Sequence, residues 1–167
     1  MSVSAHRRLL LCLVAAILGI TAPQVALPAP AHAGVPNGGI IFEPGYAWAP
    51  GQKTCGVKTC ITMQWDGNFV VYKCSDPGNP IYCESQFNQG LRGPAMWATN
   101  TWRPDVPQFF MTWQTDHNLV MYNQQLQAIW ASNTYLNARI LILQADGNLV
   151  IYDRNNDKAV WATNTYW

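Results

Sequence analysis

Gln64-Trp-Asp-Gly-Asn-Phe-Val-Val-Tyr72, Gln114-Thr-Asp-His-Asn-Leu-Val-Met-Tyr122 and Gln144-Ala-Asp-Gly-Asn-Leu-Val-Ile-Tyr152 align without a gap. Each keeps Gln, Asp, Asn, Val and Tyr at every second position. Each is followed by a second shared string: Trp97-Ala-Thr-Asn-Thr101, Trp130-Ala-Ser-Asn-Thr134 and Trp161-Ala-Thr-Asn-Thr165. An internal repeat of this kind means one small unit used three times around a core that no unit completes alone. The unit reads as β structure. A short apolar run precedes each motif (Ile61-Thr-Met63, Phe109-Phe-Met111, Ile140-Leu-Ile-Leu143), and a β-branched and aromatic run follows each Asn. Asp-Gly marks a tight turn in the first and third copies. The second has Asp116-His117, and His tolerates a left-handed backbone better than most residues, though less readily than Gly. Each unit is expected to be a small antiparallel sheet, with Trp97, Trp130 and Trp161 meeting in the shared core.

Working outward, the first unit differs from the others by an insertion between Tyr72 and Trp97. It holds Cys74, Cys83, several prolines and glycines, and little apolar periodicity. The expectation is a loop pinned by a disulfide. Upstream, His6-Arg7-Arg8 precedes the apolar run Leu9 to Ile20, and a Pro/Ala stretch ends in Ala31-His32-Ala33. This is the pattern of a secretory signal peptide, residues 1–33. The run is shorter than the ~20 residues of a spanning helix, and Pro23, Pro28 and Pro30 would break a buried one. The mature chain, residues 34–167, is therefore expected to be a single secreted, extracellular domain with no membrane span.

Without Arg7 and Arg8, eight Lys and Arg face nine Asp and Glu, a net charge of about −1. No basic face for nucleic acid follows from that balance. Cys55, Cys60, Cys74 and Cys83 remain after the leader, an even number in an exported chain, which reads as two disulfides. Their Cys-x4-Cys and Cys-x8-Cys spacings lack the usual zinc-knuckle pattern, so no metal is expected. Three connectivities stay open, with a lean to the local pairs Cys55–Cys60 and Cys74–Cys83.

The triplicate Gln-x-Asp-x-Asn-x-Val-x-Tyr motif, each copy with its Trp-Ala-Ser/Thr-Asn-Thr string, resembles the bulb-type mannose-binding lectins, the family of the snowdrop agglutinin. The resemblance runs from Gly38 to Trp167 and includes Phe42-Glu-Pro-Gly45…Gly51-Gln52, typical of that family's first strands. It implies an all-β fold, a β-prism of type II with three four-stranded antiparallel sheets about a pseudo-threefold axis. It also implies mannose-containing glycans as partners, no cofactor, and a homodimer formed by exchange of a C-terminal strand. The roles it implies are Asp and Asn on the axial 2-hydroxyl of mannose, Gln on the 3-position, Tyr on the 4-position and Val against the ring. These fall on Gln64, Asp66, Asn68, Val70 and Tyr72; on Gln114, Asp116, Asn118, Val120 and Tyr122; and on Gln144, Asp146, Asn148, Val150 and Tyr152.

The residue types suit that task on their own chemistry. A hexose presents hydroxyls that donate and accept, beside a small apolar ring face. A carboxylate accepts, Asn and Gln do both, and so does the Tyr hydroxyl. An alternative is a carbohydrate-active enzyme, but glycoside hydrolysis needs two carboxyl groups of unlike environment across one bond. Here the shared aspartates come one per repeat, Glu43 and Glu84 are the only glutamates, and His117, the only mature histidine, sits at a variable position. Triad, zinc-protease and phosphate-loop motifs are absent, and no catalytic residue is assigned. A protein-binding or antibacterial module on the same fold is the other alternative, because a fold does not fix a function.

Overall fold

The computed structural model describes residues 38–75, 80–103, 109–153 and 158–167; the expected signal peptide lies outside them. Each repeat supplies three antiparallel strands. In chain order the first gives β4 (Thr59–Met63), β5 (Phe69–Lys73) and β6 (Ala95–Ala98). The second gives β7 (Phe110–Trp113), β8 (Leu119–Tyr122) and β9 (Ala128–Ala131), and the third β10 (Ala138–Leu143), β11 (Leu149–Asp153) and β12 (Ala159–Ala162). The fourth strand of every sheet comes from the segment before the repeats: β1 (Ile40–Phe42), β2 (Ala47–Trp48) and β3 (Lys53–Cys55). The sheets run β3-β4-β5-β6, β2-β7-β8-β9 and β1-β10-β11-β12. The N-terminal segment thus visits all three sheets, turning between strands at Gly45 and Gly51, whose φ values are +95° and +82°. This is the β-prism of type II that the resemblance implies.

Period-two alternation sorts the side chains. Ile61, Met63, Phe69 and Val71 point inward from the first sheet, Met111, Trp113, Leu119 and Met121 from the second, and Leu141, Leu143, Leu149 and Ile151 from the third. All are buried and form one core with Phe42 and Trp48. Trp97, Trp130 and Trp161 form a triangle with ring centroids 5.5–5.7 Å apart and edge-to-face planes, a favourable aromatic geometry. They differ from the expectation in one respect. They are half-buried and pack against the core, whereas the fully buried indoles are Trp48 and Trp113.

The insertion also differs from the loop expected. It contains a helix, α1 (Pro80–Asn88). Cys74–Cys83 fastens it beside β5, and Cys55–Cys60 links β3 to β4. The two bridges lie side by side, with Cys60 Sγ 3.2 Å from Cys83 Sγ. At the C-terminus, β12 pairs with β11 of its own chain. The Trp167 ring carries Lys73 Nζ 3.6 Å and Lys58 Nζ 5.0 Å from its centroid, and Lys58 donates to the Trp167 carbonyl.

Candidate functional site

The five motif positions fall at one place in each sheet. Gln64, Gln114 and Gln144 directly follow the last residue of an inner strand, the turn comes next, and Asn68, Asn118 and Asn148 lead into the next strand. The backbone N–H of each Gln donates to the carbonyl of its Asn at 2.8–3.0 Å, closing the turn. The turn needs a left-handed residue at Gly67, His117 and Gly147, where φ is +78°, +64° and +94°. A Cβ on Gly67 would lie 2.4 Å from the Phe109 ring, and one on Gly147 would lie 2.8 Å from Thr59 Cγ2. His117 keeps a side chain there, set edge-on to Trp113 at 5.7 Å. Past the turn, Val and Tyr point outward, because Phe69, Leu119 and Leu149 and the residues two further on point into the core. A β-bulge opposite each tyrosine, with Tyr72 against Ala95, Tyr122 against Ala128 and Tyr152 against Ala159, recurs in all three sheets.

Three sets of hydrogen bonds fix the polar groups. Gln Nε2 donates to the Tyr hydroxyl at 2.8, 2.8 and 2.7 Å in the three motifs, so each Tyr O–H proton points elsewhere. One Asp oxygen, Oδ1, accepts from the Asn backbone N–H at 3.0–3.1 Å. Each Asn Oδ1 accepts from the hydroxyl of Thr99, Ser132 or Thr163 at 3.0–3.1 Å. In the second and third motifs it also accepts from the backbone N–H of Thr134 or Thr165. Among the described residues nothing engages Asp Oδ2 or Asn Nδ2. The result is a fixed polarity in each motif: one carboxylate oxygen to accept, one amide NH2 and one phenol to donate.

The valines present little surface. Val70, Val120 and Val150 are only 2–3% exposed, so each offers a small patch in the floor rather than a wall. Of the other tryptophans, Trp113 belongs to the core, Trp167 lies against the two lysines, and Trp65 and Trp102 are exposed.

The three motifs are not identical in surroundings. Tyr122 stacks on Phe110 at 5.5 Å with planes 23° apart, and Tyr152 lies opposite Ile140. Tyr72 lies opposite Cys60 and meets Phe87 of α1 edge-on at 5.6 Å.

No family model matches the chain. A mannose-specific lectin of Aloe arborescens is 35% identical over 106 residues, which span 62% of this chain and 76% of that protein. The chain belongs to the family of bulb-type mannose-binding lectins. Solved structures agree with the membership. Monomeric monocot mannose-binding lectins from Gastrodia elata match with a TM-score of 0.56 at 29% identity, over 78% of this chain and 100% of that one. A lectin from Allium sativum shares the fold, with a TM-score of 0.53 at 24% identity over 70% of this chain and 95% of that one. The relatives are lectins rather than enzymes, and the carbohydrate-active enzyme reading falls with that.

For this lectin the sequence reading missed a layer of residues. Thr99 and Thr101, Ser132 and Thr134, and Thr163 and Thr165 sit behind the motifs. The first hydroxyl of each pair holds the Asn oxygen and accepts the backbone N–H of Phe69, Leu119 or Leu149. The second donates to the carbonyl of Gly67, His117 or Gly147. Asn100, Asn133 and Asn164 supply the left-handed step between them, with φ of +55° to +58°. The signal was visible: the Trp-Ala-Ser/Thr-Asn-Thr string recurs with its hydroxyls in place, which a purely core-directed tryptophan would not require.

Proposed function

We propose that this protein is a secreted lectin that binds mannose-type glycans through three sites, one per repeat, built on Gln64 to Tyr72, Gln114 to Tyr122 and Gln144 to Tyr152. The observation that carries the reading is the fixed polarity of each motif. The axial 2-hydroxyl of mannose can donate to Asp Oδ2 while accepting from Asn Nδ2, so one hydroxyl satisfies both groups. The Tyr O–H, with its oxygen already accepting from Gln, donates to the 4-hydroxyl. The 3-hydroxyl meets the remaining Gln oxygen. An equatorial 2-hydroxyl or an axial 4-hydroxyl puts one of these contacts out of reach, which disfavours galactosides. The mannose-binding names of the Aloe and Gastrodia relatives support the same ligand class. The leader-like residues 1–33 and the two disulfides support export.

Each contact mostly exchanges a bond to water for one to protein, worth about 0.5–1.5 kcal/mol. One sugar in one site then binds on the order of millimolar. Useful affinity comes from several sites on one branched glycan or surface, a gain of about 10²–10⁴. Retention on immobilised mannan tests the reading. Asp66→Asn, Asp116→Asn and Asp146→Asn together keep an acceptor oxygen for each turn and remove the carboxylates. The triple variant should stay folded by circular dichroism and pass through mannan unretained. Retention equal to that of the parent would reject the site assignment.

A further inference from the structure

The three sheets serve as controls for one another. Residues directly opposite on paired strands share a face, so the outer row through Val70 reads Lys53–Thr62–Val70–Ala98. The matching rows are Ala47–Thr112–Val120–Ala131 and Ile41–Ile142–Val150–Ala162. Only the first row carries a cation. The next row, through Tyr72, holds Cys55 and Cys60 where the other sheets present Phe110 or Ile140 beside their tyrosines. Over this row the Cys74–Cys83 bridge holds α1 and the segment after it.

That segment adds a second cation. The Arg92 guanidinium carbon lies 5.7 Å from the centroid of the Tyr72 ring and 5.3 Å from that of Phe87. Lys53 Nζ lies 6.0 Å from the Phe87 ring. These are cation–π distances, and a guanidinium against a ring keeps its in-plane N–H donors for an acceptor. Among the described residues neither Arg92 nor Lys53 has a hydrogen-bond or ion-pair partner. Glu84, the carboxylate of α1, is exposed and pairs with neither. The added wall does not close the site, because Gln64, Asp66, Asn68 and Tyr72 all stay partly exposed and the Gln64–Tyr72 bond is intact.

We propose that the first site is specialised for a mannose carrying negative charge on its C-6 substituent, a phosphate ester or a uronic carboxylate. The inference rests on the mannose-binding reading. With the 4-hydroxyl at Tyr72, the C-5 and C-6 edge of the sugar faces the side on which Phe87, Arg92 and Lys53 stand. An anion there meets two cations set against aromatic rings, where charge-assisted bonds gain over water. Among the described residues, the matching row positions hold Ala47 and Phe110 in the second sheet and Ile41 and Ile140 in the third.

The test uses single-site proteins, with Asp→Asn and Tyr→Phe in the two silenced motifs. Calorimetry compares methyl α-mannoside, mannose 6-phosphate and methyl α-mannuronoside on the first-site and third-site proteins. The first-site protein should bind at least one anionic sugar about tenfold more tightly than methyl mannoside at low salt. The two anionic arms tell phosphate from carboxylate. The preference should shrink at about 0.5 M salt, where surface charges are screened. Lys53→Gln with Arg92→Gln should bring the ratio to about one, as in the third-site protein. A ratio of one in the first-site protein, or a preference that survives the double substitution, overturns the proposal. So does a first-site protein that binds none of the three while the third-site protein binds methyl mannoside, a result that leaves mannose binding standing. Failure of the third-site protein with methyl mannoside rejects the mannose reading itself, and this proposal with it.

Discussion

Thr163→Val removes one hydroxyl and keeps the branched shape, so it isolates what the layer behind a site contributes. Thr163 Oγ1 accepts from the Leu149 backbone N–H at 3.1 Å and donates to Asn148 Oδ1 at 3.1 Å. Leu149 is fully buried, so its N–H loses its acceptor with no water to replace it, at a cost of about 1–3 kcal/mol. Asn148 Oδ1 keeps the Thr165 N–H, so the second loss is an ordinary bond of about 0.5–1.5 kcal/mol. Together the variant should be about 2–4 kcal/mol less stable by urea denaturation, equivalent to roughly 8–16 °C in Tm for a domain of this size. Thr99→Val and Ser132→Ala provide the repeat, because their hydroxyls make the same two bonds. All three should fall within about 1 kcal/mol of one another, with the smallest cost at half-buried Ser132. A Tm shift below about 2 °C in all three would refute the reasoning. Binding measured at the altered site should weaken several-fold, because the Asn148 amide loses one of its two fixed partners.

Gly67→Ala should cost about 2–5 kcal/mol in thermal or urea unfolding, from the left-handed backbone and the collision with Phe109; His117→Gly, at the equivalent turn, should stay within about 1 kcal/mol of the parent. Equal effects at the two positions would contradict the packing described. A homodimer by exchange of the C-terminal strand would pass the β11–β12 pairing and the Trp167 seat on Lys58 and Lys73 to a partner chain without new contacts. Light scattering should then read the dimer mass at high concentration, and deletion of Tyr166 and Trp167 should lower it to the monomer mass. A monomer mass for the parent would remove the idea.

The repeat made the three-sheet architecture legible because its signals are local. Alternation from Phe69 to Lys73 sets which side chains face the core, and the Asp-Gly or Asp-His pair sets the turn. His117 does take the left-handed conformation its position demanded. The polar groups of each motif come together from similarly local causes: Val and Tyr alternate outward along one strand, and the turn closed by the Gln N–H on the Asn carbonyl sets Gln beside Tyr. What was not legible depends on distant partners. β1 pairs with β10 through Ile40 and Leu143, and nothing in the sequence near Ile40 names that strand. Helix α1 has too short and too unpatterned a sequence to form alone; it is held by Cys74–Cys83 and by contact with β3 and β4. Its consequence for the first site, Phe87 and Arg92 at Tyr72, was therefore hidden as well. Ser132 and its counterparts read as parts of a tryptophan string until the Asn oxygens were seen to rest on them.

The most direct test of the central claim is a titration of the 15N-labelled protein followed through its side-chain amide signals. With methyl α-mannoside, the NH2 pairs of Asn68, Asn118 and Asn148 should shift and saturate on the order of millimolar, because these donors meet the 2-hydroxyl. Methyl α-galactoside should leave them in place. Amide signals that stay still with both sugars, or that move equally with both, would contradict the assignment of these three motifs as mannose sites.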